Sequence, residues 1–347
     1  MTTAPILHVF GWSKLIVVPY IAFVRDNFNA DDHEFLICGK VSEADREGLG
    51  NIIYCESPLK NIALLSRHLR GARKIIIHGL FDMHFCYALA LHPWLLNKSY
   101  WVIWGGDLYV HMVHRENGWR RVKNELVRRF LISRFGNLIT CIKGDAELAR
   151  KWYGAKGRVW ECFSYTSNIF VSLSDATHKD DNALNILVGN SANPSNNHQE
   201  IIDRLAPYCH RNIFVCAVLS YGGPEHADSV RKYGKEKIGN KFTSLDSLMP
   251  LKVYLEFLSK IDVAIFNHNR QQAMGNTIFL LGNGKKVFIR KDTTQWAFFV
   301  GLGVTVFDSE TFDLDMALNT DTSHNNAIIS SYFNVDNLRV QYRAIFA

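Results

Sequence analysis

The stretch "SYWVIWGGDLYVH", Ser99 to His111, carries the reading of the fold. Tyr100, Trp101, Val102, Ile103 and Trp104 are aromatic or β-branched, with no polar residue between them. Such a run is the composition of a strand covered on both faces. It stops abruptly at Gly105 and Gly106, and the next residue is a carboxylate, Asp107, followed by Leu108 and Tyr109. Aspartate after two glycines is an ordinary turn residue. A carboxylate at the end of a buried strand also stands where open α/β sheets bind ligands. Asp107 is therefore expected to be either a turn residue or a catalyst.

Outward from this stretch the same alternation recurs. Short apolar runs lie at 6–10 (ILHVF), 34–39 (EFLICG), 51–55 (NIIYC), 74–79 (KIIIHG), 137–142 (NLITCI) and 157–162 (GRVWEC). A second series follows at 184–190 (LNILVGN), 212–223 (NIFVCAVLSYGG), 241–245 (KFTSL), 261–268 (IDVAIFNH) and 285–291 (KKVFIRK). Segments of helical period separate them, including 57–71, 120–136, 195–210, 250–260 and 275–285. Strands alternating with helices predict mainly parallel sheets covered on both faces. The chain has 347 residues, more than one core normally spans, so two α/β domains are expected. The expected division is 1–166, a polar linker at 167–183, a second domain at 184–330, and a helical tail at 331–347. The two domains are expected to face each other across a cleft.

Composition narrows the class. No run of about 18 apolar residues suggests a membrane-spanning helix, and the first residues lack the layout of a signal peptide. Seven cysteines are scattered without CxxC spacing, which argues for a reducing compartment and against a zinc site. A net charge of +6 permits an anionic partner. No phosphate-binding GxxxxGK[ST], Rossmann GxGxxG or HExxH is present, so P-loop and hydride-transfer chemistry lose support.

Two loops of the second half are built for an anion. In "ILVGNSANPSNNHQEII" a strand ends in Gly189, Asn190 and Ser191, then Ser195, Asn196, Asn197 and His198 precede a helix. Small residues allow backbone amides to approach a phosphate, and the helix N-terminus adds partial positive charge. The same residues also serve as helix caps. In "FNHNRQQAMGNTIFLLGNGKKV" Arg270, Gln271 and Gln272 stand before Gly275, Asn276 and Thr277 at the start of an apolar helix. An arginine beside free helix amides suits a pyrophosphate, and glutamines supply neutral donors. Between these loops Tyr221 and Gly222 form a break suited to a base and ribose, or to a plain turn.

In the first half His8 and Gly11, His78 and Asp82, and Trp104, Gly105, Gly106, Asp107 and Tyr109 cluster at strand ends. A carboxylate or imidazole there can take a proton from an acceptor hydroxyl. Asp107 is the first candidate, His78 and Asp82 the competitors. The segment 114–136 is basic, with Arg115, Arg120, Arg121, Lys123, Arg128, Arg129 and Arg134, and Trp119, Val122, Leu126, Val127, Phe130 and Leu131 recur between them. It reads as a helix lying on an anionic membrane, with Trp119, Arg120, Arg121, Arg128 and Arg129 outward, or as a solvated helix with an ordinary core face.

Together, "IHGxF" at 77–81, "WxIWGxDLY" at 101–109, "ILVGNS" at 186–191 with "SNxH" at 195–198, and "RQQ" with "GNT" at 270–277 resemble one family. The chain is similar to the TDP-N-acetylfucosamine:lipid II N-acetylfucosaminyltransferases, glycosyltransferase family 56, also described as 4-alpha-L-fucosyltransferases. The resemblance implies a GT-B architecture and a metal-independent, inverting transfer with no cofactor. The donor would be a TDP- or GDP-linked deoxysugar and the acceptor a polyprenyl-diphosphate-linked glycan of bacterial surface polysaccharide. It also implies a peripheral enzyme on the cytoplasmic face of the inner membrane, with no nucleic acid as partner. A GT-B-shaped nucleotide-sugar epimerase is the alternative, and a nucleic-acid binder resting on the basic segment is a third.

Overall fold

The computed structural model describes residues 4–113, 118–173 and 183–347. Arg115 and positions 174–182 of the expected linker lie outside the described residues. The chain divides into two units, 1–168 with 335–347, and 169–334.

The first unit is built on seven parallel strands: β1 (Ile6–Gly11), β2 (His33–Cys38), β3 (Ile53–Cys55), β4 (Lys74–His78), β5 (Ser99–Val102), β6 (Asn137–Thr140) and β7 (Arg158–Glu161). Their order is β3-β2-β1-β4-β5-β6-β7. Ile75, Ile76 and Ile77 in β4 are all buried, because helices cover both faces of the sheet. β1 and β4 run in register from Ile6 opposite Lys74 to Phe10 opposite His78, so Gly11 and Gly79 leave the sheet side by side. There the strand order reverses, and doubly wound sheets bind ligands at that point. β5 ends at Val102, two residues earlier than its composition predicts. Trp104 already belongs to the turn, where the Gly105 carbonyl accepts from Leu108 and Tyr109.

The second unit repeats the plan with β8 (Leu184–Val188), β9 (Ile213–Val218), β10 (Phe242–Leu245), β11 (Val263–Phe266), β12 (Lys286–Ile289) and β13 (Phe307–Asp308). All neighbours pair parallel, in the order β10-β9-β8-β11-β12-β13. Val188 lies opposite Ile265, so the loops after β8 and β11 leave together at this sheet's own reversal.

Two boundaries differ from the sequence expectation. Residues 169–173 belong to the second unit instead of a linker: Phe170 donates to the Phe333 carbonyl at 2.7 Å, and Leu173 donates to Asn283 Oδ1 at 2.9 Å. The tail is not one helix over 331–347. The helix Asn325–Tyr332 belongs to the second unit and the helix Val335–Phe346 to the first. The last helix is held by Tyr342, whose hydroxyl donates to the Ser164 carbonyl at 2.7 Å, and by Lys74 Nζ on the Ile345 carbonyl at 2.7 Å. The helix Pro224–Ile238 escaped the sequence pattern because its buried residues, Ala227, Val230, Gly234 and Ile238, are few and two of them are small.

Candidate active site

In the first unit Asp107 is fully buried and each of its oxygens accepts two hydrogen bonds. Oδ1 takes Trp104 N at 3.0 Å and Leu108 N at 3.1 Å; Oδ2 takes Trp101 Nε1 at 2.7 Å and Leu80 N at 3.1 Å. Burial pushes the carboxyl above its usual range and the four donors pull it back. Among the described residues the carboxyl meets four donors and no acceptor, an arrangement that suits the ionised form and occupies both oxygens. The expectation that Asp107 is the base is corrected: it ties the turn after β5 to the turn after β4.

His78 is engaged in the same way. An indole can only donate, so Trp104 Nε1 gives its hydrogen to the Tyr165 hydroxyl at 2.6 Å. The same hydroxyl lies 2.8 Å from His78 Nδ1, and His78 Nε2 faces His8 Nδ1 at 3.4 Å. His8 Nε2 is hydrogen-bonded with His33 Nδ1 at 2.9 Å, and the Tyr20 hydroxyl lies 3.1 Å from His8 Nδ1. Burial holds His8 and His78 well below the ordinary imidazole range and His33 at about 4. All three are neutral, interior and occupied. His8 is fully buried within β1, and Tyr109 is also buried, with its hydroxyl 3.3 Å from Asp145 Oδ1, so neither side chain is open to solvent.

Asp82 differs. It caps the helix Met83–Ala90, its Oδ1 accepting from His84 N at 2.8 Å and Phe85 N at 3.1 Å. Among the described residues Oδ2 meets no hydrogen-bond donor. The side chain is 24% exposed and lines an open hollow with Phe10, Gly11, Gly79 and Phe81, where β1 and β4 end. Of the three candidates it is the one with an accessible lone pair.

In the second unit the loops after β8, β9 and β11 share one polar network. Gln272 Nε2 donates to Asn190 Oδ1 at 2.7 Å, Asn190 Nδ2 to the Tyr221 hydroxyl at 2.8 Å, and Ser195 Oγ to Gln272 Oε1 at 2.9 Å. Gln295, which the sequence did not single out, fixes Gln272 by accepting from its backbone N at 3.0 Å. Arg270 is close enough to Tyr221 and His268 for its charge to act on both. The helix Met274–Gly282 begins one residue before the expected Gly275, after Ala273 at φ 57°. Its first intrahelical donor is Thr277, so the amides of Met274, Gly275 and Asn276 have no partner within the helix.

Several expected donor contacts are interior supports instead. Asn196 is fully buried, taking Asn190 N at 2.9 Å and His268 Nε2 at 2.7 Å on Oδ1. His198 is buried against Gly189, where a Cβ would meet its Nε2 at 2.7 Å. Asn197 Nδ2 donates to the Asn267 carbonyl at 2.8 Å, and Thr277 Oγ1 to the Ala273 carbonyl at 3.0 Å. Gly222 has φ 120° and lies so close to Ala192 that a Cβ would fall 2.6 Å from its carbonyl carbon. Asn190, Ser191, Ser195, Tyr221, Arg270, Gln271, Gln272, Gly275 and Asn276 remain at the sheet reversal.

The basic helix is Trp119–Ile132. Trp119 is 79% exposed and Val122 and Leu126 are exposed along the same face, while Leu131 and Ile132 enter the core. Arg128 is buried and directs Nη2 to the Leu80 carbonyl at 3.4 Å, so it does not face outward as expected. Arg121 reaches the His111 carbonyl at 3.1 Å; Arg129 donates to the Trp152 carbonyl at 2.9 Å and pairs with Glu125. Arg120 and Lys123 are exposed. Among the described residues no helix is long and apolar enough to cross a membrane.

The sequence matches the family described as 4-alpha-L-fucosyltransferase, glycosyl transferase group 56, over residues 52–330. The chain belongs to this family. As a group 56 member it is a glycosyltransferase, and solved structures bear out the GT-B architecture. HepE of Anabaena in complex with UDP is 14% identical, with 98% of this chain and 99% of that chain covered at a TM-score of 0.70. Sucrose-phosphate synthase of Thermosynechococcus elongatus is 11% identical over 99% of both chains, at 0.67. A putative UDP-N-acetylglucosamine 2-epimerase of Listeria monocytogenes is 13% identical over 99% of this chain and 95% of that chain, at 0.57.

Proposed function

We propose that this group 56 enzyme transfers a fucose-type deoxysugar from a nucleoside diphosphate to a polyprenyl-diphosphate-linked glycan, without a metal ion and with inversion. The observation that carries the reading is the polar cluster at the reversal of the second sheet. Arg270 and the amides of Met274, Gly275 and Asn276, which have no partner within their helix, suit a diphosphate, and Tyr221, Asn190 and Gln272 suit a ribose or sugar hydroxyl. HepE binds UDP, which is in keeping with a nucleotide donor. In the first unit Asp82 is assigned as base. Its Oδ2 takes the acceptor hydroxyl proton as that oxygen bonds to the sugar C1; the C1–O bond to the diphosphate breaks, and the nucleoside diphosphate leaves with the electron pair.

A thermal-shift panel of TDP, GDP, UDP and CDP tests the donor site, since a ligand of the native state raises its apparent stability. Arg270→Ala should weaken the preferred nucleotide by about 1.5–3 kcal/mol, the range for a hydrogen bond to a charged group. Chelators should leave turnover unchanged; loss with EDTA and recovery with magnesium would overturn the metal-free mechanism. Donor incubated alone separates transfer from epimerisation, because an epimerase converts it and a transferase at most hydrolyses it.

The membrane assignment rests on the exposed face of the helix Trp119–Ile132. Trp119, Val122 and Leu126 supply apolar contact, with Arg120 and Lys123 for anionic headgroups. Replacing Arg120 and Lys123 by Gln should weaken vesicle binding by about 1 kcal/mol per charge near the surface. Trp119→Ser should weaken it further, while turnover on a soluble acceptor analogue persists. Equal sedimentation of wild type and variants with phosphatidylserine vesicles would return this face to ordinary solvent exposure.

A further inference from the structure

Phe81 is a large aromatic residue left half-exposed at the end of the sheet where ligands bind. Its exposure is 50%, and its ring lines the hollow that holds Asp82. The ring lies directly over the backbone of Gly79, where a Cβ would fall 2.5 Å from Phe81 Cε2 and where φ is +84°. A side chain at 79 would therefore displace the ring and strain the turn. On its other side Phe81 meets Trp104 edge-on, with ring centroids 5.6 Å apart and planes at 76°.

Trp104 is itself fixed at two points. Its indole Nε1 donates to the Tyr165 hydroxyl at 2.6 Å, and its backbone N donates to Asp107 Oδ1 at 3.0 Å. The Tyr165 hydroxyl is in turn oriented by His78 at 2.8 Å. An interior network of Asp107, Tyr165 and His78 thus holds one aromatic ring, and that ring braces a second, exposed one beside an accessible carboxylate. Exposing such a ring costs solvation unless a ligand covers it, and a rigid ring loses little conformational freedom on binding. Sugars have faces of C–H bonds that carry slight positive charge, complementary to the negative face of an aromatic ring. We infer that Phe81, braced by Trp104, is the platform on which the terminal sugar ring of the acceptor glycan stacks, presenting a hydroxyl to Asp82. The inference rests on the reading that the first unit takes the acceptor, and it makes Asp107 and Tyr165 positioning residues of that platform.

Saturation-transfer NMR on the full chain with methyl glucoside, methyl galactoside and methyl N-acetylglucosaminide as probes tests it. At least one glycoside should bind, with saturation reaching chiefly the C–H protons of one ring face. Phe81→Ala and Phe81→Leu should each weaken binding roughly tenfold, and Phe81→Trp should restore it. The leucine variant keeps apolar cover over Gly79, so it separates loss of the ring from loss of packing. Nucleotide binding should be unaffected in all three. Glycoside binding unchanged in Phe81→Leu, or no glycoside bound by wild type, would overturn the platform. Failure of the functional reading appears elsewhere, as full turnover in an Asp82→Asn enzyme whose glycoside binding still depends on Phe81.

Discussion

The Asp107→Asn protein should lose roughly 2–6 kcal/mol of stability in its first unit. Whichever way the new amide faces, its NH2 group replaces an oxygen that accepts from two donors. Those are either Leu80 N and Trp101 Nε1, or Trp104 N and Leu108 N. Each buried donor left without an acceptor costs about 1–3 kcal/mol. Urea unfolding followed by tryptophan fluorescence reads this directly, since Trp101 and Trp104 both contact the site. Any fall in turnover should follow the loss of folded protein and of Trp104 orientation. A variant as stable as wild type but inactive would reverse the assignment and return Asp107 to the role of base.

Asp82→Asn should give the opposite pattern. Asparagine caps helices about as well as aspartate, so the bonds from His84 N and Phe85 N persist and stability should change by only a few tenths of a kcal/mol. What disappears is the proton acceptor at Oδ2. Loss of general base catalysis typically lowers turnover by about 10²- to 10⁴-fold. Nucleotide binding should be nearly unchanged, because the residues proposed to hold the donor belong to the second unit. Single-turnover rates with saturating donor measure the step itself. An Asp82→Asn enzyme with wild-type rates would remove Asp82 from the mechanism.

Much of this protein was legible along the chain. Runs such as KIIIH in β4 and VAIF in β11 carry their own evidence, because a strand covered on both faces must be apolar at every position. The loops after β8 and β11 were legible as candidates for an anion, since Arg270 and Gly275 are residue types that such a site at a strand end requires. The strings at 77–81, 101–109, 186–191 and 270–277 pointed to the family that the match over 52–330 establishes. Phe307–Asp308 was not legible, being too short to show any period.

Only the tertiary structure separated the candidates within the site. Asp107 and Asp82 are both aspartates just beyond a glycine turn, and neighbouring sequence put Asp107 first. Their difference lies in four donors, from the turn after β4, from Trp101 in β5 and from the turn that follows it, brought to one carboxylate and not to the other. Arg128 likewise reads as a surface cation until Leu80 supplies an interior carbonyl for it. The half-exposed ring of Phe81 reads as one more apolar residue until Gly79 and Trp104 show how it is held. The sequence alone determined which residues could bind a phosphate or move a proton, because that is a property of side-chain chemistry. Which of them keeps a reachable lone pair depends on burial and on partners distant along the chain, and folding alone decides both.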